Sequence, residues 1–216
     1  MKNMDDYRFQ NELEYQLALL ESIRKLLLVY EEFYQEETKG DMLPRIGGSI
    51  LSHQELTRTL QKSHPEFWNH KKEALQELSR IRECGKKSMR EKGIVIAMEY
   101  VIHAFGLTDF EAFLLILAWA SQMDHETGLA VSAMCEYQGG KGPTIHFCAR
   151  LYALEEVETI EIKRKCLSRK ELLSWLFAGT ESGQRGESLL EKGLHLDDRI
   201  FAYLQDYGSL DDELKM

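Results

Sequence analysis

Phe105-Gly-Leu-Thr-Asp-Phe-Glu-Ala-Phe-Leu-Leu-Ile-Leu-Ala-Trp-Ala-Ser-Gln-Met-Asp124 is the most apolar run of the chain, and its ends are well marked. Gly106 is suited to the left-handed conformation that closes a preceding helix. Thr108 and Glu111 stand three apart, the spacing of a capping box, in which each side chain reaches a backbone N–H at the helix start. Leu107, just before the cap, is placed to staple onto Ala112. Almost every residue from Phe110 to Trp119 is apolar, which predicts a helix buried on most sides. At roughly 14 residues it is shorter than the ~20 that span a bilayer. It reads as the core helix of a domain packed around it.

The bulk numbers agree with a globular chain. Its 216 residues allow one large domain or two small ones, with a sizeable core. Apolar residues make up 44% and charged residues 29%, both ordinary proportions. A net charge of −9 sets the molecule as a whole against nucleic acid and anionic membranes. No basic stretch followed by an apolar run opens the chain, so no signal peptide is read. Cys84, Cys135, Cys148 and Cys166 form no CxxC pair and predict reduced thiols in a cytoplasmic protein. The scarcity of proline, at positions 44, 65 and 143 alone, suits a mainly helical chain.

Residues 5–36 read as one long helix. Phe9, Leu13, Leu20, Ile23, Leu27, Tyr30 and Tyr34 fall on a 3-4 repeat, with Gln16 as the single polar interruption. Leu17, Leu19, Leu26 and Leu28 add apolar surface beside that seam, so two arrangements stay open: a helix folded back on its own domain, or one that also pairs between subunits. Residues 37–53 are a loop by composition. Ser52 and Glu55 resemble a further helix start, for a short helix to about residue 62. Pro65 then opens a charged helix at a position where its missing N–H costs nothing. Within that helix Arg80, Arg82, Lys86, Lys87, Arg90 and Lys92 form the basic concentration of the chain, against Glu83 and Glu91. A solvated face explains these cations. The other reading is contact with nucleic acid or an acidic partner, although no aromatic is interleaved to stack on a base.

Ile94–Phe105 is an apolar helix ended by Gly106. With the core helix it makes a helix–turn–helix pair of winged-helix type. Asp124 is placed to cap the turn after the core helix. His125-Glu-Thr-Gly128 reads as a polar turn before a helix over 129–137, and Pro143-Thr144 start another. Ile160 and Ile162 alternate with charges, and Leu173, Trp175 and Phe177 alternate with smaller residues, although Ser168 and Glu171 have cap spacing. Ile160–Ile162 thus reads as a strand or a frayed helix, and the run Leu173–Phe177 with the segment 189–196 predicts a β-hairpin wing across the polar run 179–186. Asp197 caps a last helix, and 211–216 is an acidic tail or the start of a linker. The fold class read is therefore mainly α: a helical bundle over 1–92, a winged-helix-like domain over 93–210, and the tail.

Chemistry is hard to find in this pattern. Gly139-Gly-Lys-Gly-Pro-Thr144 lacks the GxxxxGK[ST] spacing of a phosphate loop. His53, His64 and His70 with Cys84 match no zinc pattern. His103 and His146, in apolar helices, read as partly buried and hydrogen-bonded. No serine lies in a GxSxG elbow, and no cysteine has a histidine at dyad spacing. Glu111 and Asp124 have good structural roles as caps. No catalytic, cofactor-binding or metal-ligating residue is assigned.

Along Phe105, Gly106, Leu107, Phe110, Glu111 and Asp124 the chain resembles a family of bacterial AAA-type ATPases that carry a helical, winged-helix-type region before the motor. Tyr137, Pro143 and Thr144, and then Leu194, Leu196, Asp197, Arg199 and Ile200, are similar to later elements of that region. Arg45-Ile-Gly-Gly and Ser52-His-Gln-Glu55 are like its early loop and short acidic helix. Ser121-Gln122 departs from the family's Pro-Glu, and the loop 138–142 is glycine-rich where relatives are often basic, which puts shared loop contacts in doubt. The motifs are structural and speak to fold more than activity. The resemblance implies a non-catalytic, substrate- or partner-engaging region of an AAA-type ATPase, in some relatives within gene clusters for contractile injection systems. ATP and Mg²⁺ are implied only for a downstream module, since no Walker motif occurs in this sequence. The implied partners are a protein client or adaptor and the chain's own ATPase module, with a homo-oligomer through the N-terminal helix also open. The alternative is a winged-helix nucleic-acid-binding or regulatory protein, which the net charge and the scarcity of basic residues over 109–119 oppose.

Overall fold

The computed structural model describes residues 7–38, 65–135, 142–178 and 188–205. The predicted short helix over 53–62, Tyr137, the loop 138–141, the polar run 179–186 and the tail lie outside them.

Two long helices form one side of the molecule. Helix α1 is Glu12–Thr38 and α2 is Pro65–Lys92. They run antiparallel. Arg8 pairs with Glu91 at 2.6 Å, and Lys25 pairs with Glu77 at 2.8 Å further along. Between those pairs a Cβ on Gly85 would lie 2.6 Å from the Tyr15 ring. That contact explains a glycine in mid-helix, where it costs about 1 kcal/mol against alanine. Helix α1 starts later than its sequence suggests. Residues 7–11 are not helical, and Phe9 is buried with its N–H donating to Ser88 Oγ at 2.9 Å. The seam also differs. Tyr15, Leu19, Ile23, Leu26, Leu27 and Tyr30 are buried, while Leu13 and Leu17 are 64% and 57% exposed. Ile23, Leu27 and Tyr30 of the predicted seam meet the core, and Tyr15, Leu19 and Leu26 join them. Gln16 is buried and donates to the Leu204 carbonyl at 2.8 Å.

Helix α3 (Ala97–Ala104) ends in a Schellman motif: Leu107 N–H bonds to Ile102 O, Gly106 N–H bonds to His103 O, and Gly106 has φ of 55°. Helix α4 (Asp109–Met123) follows, with both bonds of the Thr108–Glu111 capping box present. Every residue from Phe110 to Ala120 is buried. This helix is the centre of the single hydrophobic cluster, which reaches from Phe9 to Leu204.

Asp124 ends α4 and caps α5 (His125–Met134), accepting from Thr127 N–H. The predicted polar turn 125–128 is thus the first turn of a helix, because Asp124 satisfies its leading amide. Thr144 caps α6 (Ile145–Tyr152), accepting from Phe147 N–H at 3.0 Å. The far end of α6 is closed by Lys71, which is 1% exposed. Its Nζ donates to Arg150 O at 2.8 Å and to Ala153 O, and lies 4.8 Å from the Trp68 ring centre. A cation there meets the negative end of the helix dipole.

The strands suggested around Ile160–Ile162 and Leu173–Phe177 are mostly helix. Helix α7 is Glu156–Ser168 and α8 is Lys170–Leu176. In α7 only Ile162 of the alternating pair is buried, together with Cys166 one turn on, while Ile160 is 64% exposed. A longer period of 3.6 overrides two coincidental alternations. The wing survives in reduced form: β1 (Phe177–Ala178) pairs antiparallel with β2 (His195–Leu196), Phe177 opposite Leu196. Leu196 N–H donates to Gln122 Oε1 at 2.8 Å, which fastens the wing to the end of α4. Asp197 Oδ1 accepts from Arg199 N–H and caps α9 (Asp198–Gln205). The result is a mainly helical molecule with a small two-stranded sheet.

Candidate functional site

The ionisable groups of the interior are occupied with one another. Arg82, 8% exposed, donates from Nε to Glu99 Oε1 at 3.0 Å, and Tyr15 Oη donates to the same oxygen at 2.6 Å. Burial works against the Arg82 cation, yet the Glu99 carboxylate more than offsets it and its pKa is raised. Burial, then Glu99, pushes the Tyr15 hydroxyl well above its usual value. These three residues tie α1, α2 and α3 together. Arg82 also lines a cleft of about 350 Å³ with Asp109, Phe113 and Tyr152.

This arrangement corrects the reading of the basic segment. Arg82 is an internal cation and does not belong to a surface patch. Lys86 pairs with Glu83 at 2.7 Å, and Lys92 donates to the carbonyls of Arg8 and Phe9 at 3.1 and 3.3 Å. Arg80 and Arg90 are exposed, and Lys87 is half-buried. The signal was present in the sequence: Arg82 stands four residues after Leu78 and seven after Leu75, on the apolar side of α2. Arg169, which no sequence motif marks, is joined to the capping box. Its Nη1 donates to Glu111 Oε2 at 2.6 Å and its Nη2 to Gly106 O at 3.3 Å.

The cysteines are free thiols. Burial raises Cys135 to about 11 and Cys166 to about 12, and drives Cys148 further still. Such thiols are poor nucleophiles. His103 and His146 are exposed, contrary to the sequence expectation, and His146 Nδ1 lies 3.2 Å from Lys163 Nζ. His53 and His64 lie outside the described residues. Among the described residues no group of three His, Cys, Asp or Glu side chains is placed to hold a metal ion.

A further open feature among the described residues is apolar. A groove of about 540 Å³ runs between α1 and α5. Leu27, Leu28 and Tyr30 form one wall, and Ala130, Ala133 and Met134 the other. Leu28 is 61% exposed. Small alanines let a partner's backbone come close, and methionine adapts to its shape. The rim carries Arg24, Glu31 and Glu126. Arg24 is held by Asp124 at 2.8 Å, so those two charges cancel. Asp124 is itself pulled down to about 2, by the Thr127 hydroxyl first and by Arg24 against the cost of burial. Arg24 also lies 3.9 Å from Glu126, so the one cation is shared between two carboxylates.

A family model described as "Winged helix domain, variant" matches residues 3–216. The chain belongs to this winged helix family. No curated protein and no solved structure matches it. Winged helix domains are generally non-catalytic. The sequence predicts α3 and α4 as the helix–turn–helix pair of this winged helix domain, while α8 (Lys170–Leu176) is the helix that runs directly into strand β1 of the wing. A DNA-reading domain of that kind lays its second helix in the major groove and reads bases with polar side chains. Here α4 is covered on all sides from Phe110 to Ala120, so no side of it is free for a base edge. Among the described residues no helix is long and apolar enough to cross a membrane.

Proposed function

We propose that this winged helix domain is a protein-interaction module, the partner-engaging region that precedes the motor of a bacterial AAA-type ATPase. One observation carries the first part. The second helix of the pair predicted from sequence, α4, is the core of the fold, whereas an apolar groove lies open between α1 and α5. Such a groove accepts an apolar protein segment. Support for the motor comes from the sequence resemblance along Phe105–Asp124, Pro143–Thr144 and Leu194–Ile200. The mechanism is positioning: the domain holds a client or adaptor, and ATP turnover in the downstream module moves it. The setting in a contractile-injection gene cluster belongs to the same proposal. This region itself uses no cofactor; ATP and Mg²⁺ belong to the motor.

The test begins with the reading frame beyond Met216. Walker A and Walker B motifs in the continuing frame support the motor-linked role, and a stop codon directly after Met216 overturns it. Titration against duplex DNA at low salt addresses the alternative. Saturable binding that weakens as salt rises would replace the interaction module with a nucleic-acid-binding domain.

A further inference from the structure

Away from the groove, the N-terminal half of α1 leaves apolar side chains in water. Leu13 and Leu17 are 64% and 57% exposed, and Leu20 is half-buried. At about 100° per residue the three share one side of the helix, within about 60° of one another, and Gln16 stands between that side and the core. Further along α1 the same side carries Arg24, fastened to Asp124 at the cap of α5. Leu13 and Leu17 have no such cover among the described residues. The last described helix, α9, ends beside them. The Leu204 carbonyl accepts from Gln16 Nε2 at 2.8 Å, and the Tyr203 ring lies against Tyr100 of α3 with centres 6.1 Å apart. The chain beyond Gln205 therefore leaves from the edge of the stripe. It runs Asp206-Tyr-Gly-Ser-Leu-Asp-Asp-Glu-Leu-Lys-Met216, with Tyr207, Leu210 and Leu214 spaced three and then four apart. Read backwards along α1, Leu20, Leu17 and Leu13 are spaced three and then four apart as well.

We infer that the segment Tyr207–Leu214 of the same chain covers this stripe, running antiparallel to α1 with Leu210 against Leu17. The tether at Leu204 makes the contact intramolecular. A short link holds the segment at a high effective concentration, so three apolar side chains suffice where a free peptide of this length would bind poorly. Apolar burial drives the docking. Charge opposes it, since Glu14 and Glu21 flank the stripe and the segment carries Asp211, Asp212 and Glu213. Added salt screens that repulsion. The docked segment fixes the direction in which the chain leaves the domain, and it does so with or without a motor.

The experiment is chymotrypsin digestion of the native 216-residue chain, with the C-terminal fragments read by mass spectrometry. Cleavage after Tyr207 and Leu210 reports whether the segment is covered. Leu17→Asp spoils the stripe, Leu17→Met keeps it apolar, and Ile160→Asp on α7 is the control. Both positions are more than half exposed, and circular dichroism with thermal unfolding verifies that each variant folds. The expected result is cleavage about tenfold or more faster in Leu17→Asp than in the unaltered chain, the change that about 1.4 kcal/mol of docking gives. Leu17→Met and Ile160→Asp keep the protection, and salt widens the ratio between the unaltered chain and Leu17→Asp. Equal rates in those two chains overturn the inference. So does protection that disappears on dilution while sedimentation shows mass rising with concentration, for then a second copy covers the stripe.

Discussion

At the scale of single residues, the buried Arg82–Glu99–Tyr15 set makes the sharpest prediction. Arg82→Met leaves the Glu99 carboxylate desolvated without its cation, and removing one partner of a buried pair costs about 3–5 kcal/mol. Denaturant unfolding should show a loss of that order. Arg82→Met combined with Glu99→Met should lose less than the single change, since no charge is then stranded. Asp124 supplies a pH prediction. Its carboxyl sits at about 2 in the folded chain against an ordinary 3.8, so its stabilisation is complete above pH 3.8 and is lost as pH falls towards 2. The midpoint of urea unfolding should drop through that window, and Asp124→Asn should flatten the drop. The thiols offer a third check. With Cys135 at about 11 and Cys166 at about 12, thiol reagents at about pH 8 should react slowly with the folded chain and fast once it is unfolded in urea.

At the scale of elements, the caps and close contacts set the order of sensitivity. Thr108→Ala removes the side chain that accepts from Glu111 N–H and should cost about 1 kcal/mol. Gly85→Ala should cost more than its helix propensity returns, because the new methyl meets a Tyr15 ring that its bond to Glu99 holds in place. Thermal unfolding separates the two. The ends of α4 and α6 were legible in the sequence because caps are local: Thr108, Gly106 and Thr144 each act on residues within four positions. The outer half of the wing was less so. Leu173, Trp175 and Phe177 alternate, yet Leu173 and Leu176 are the residues buried in α8, a distinction made by the neighbouring elements and not by the local pattern. The face of α1 was legible in its second half, at Ile23, Leu27 and Tyr30, and not in its first. Leucine covers both sides of that helix, and only packing against α2 and α4 selects Leu19 over Leu13.

At the scale of the whole molecule, burial of α4 is the decisive property. A helix enclosed on every side cannot lie in a groove of DNA, and the net charge of −9 opposes duplex binding by the rest of the surface. Gel-shift titration with mixed-sequence duplex at physiological salt should therefore show no complex, and the exposed cations Arg80 and Arg90 should give at most weak, salt-sensitive retention at low ionic strength. The candidate site was only half legible. The sequence marked the apolar excess of the N-terminal helix, but the groove exists because α5 begins at His125 and brings Ala130, Ala133 and Met134 beside Leu27 and Tyr30, residues about a hundred positions away.

Lys71 gives the fold an internal gauge. Its ammonium is enclosed with the last carbonyls of α6 and is 1% exposed, while Lys72 beside it lies in the open. An amine-acetylating reagent should label Lys72 in the native chain and spare Lys71, whose modification then tracks opening of the fold. Read by mass spectrometry, the ratio of the two adjacent lysines measures the population of opened molecules without denaturant, dye or tag, including in a mixture with a bound partner.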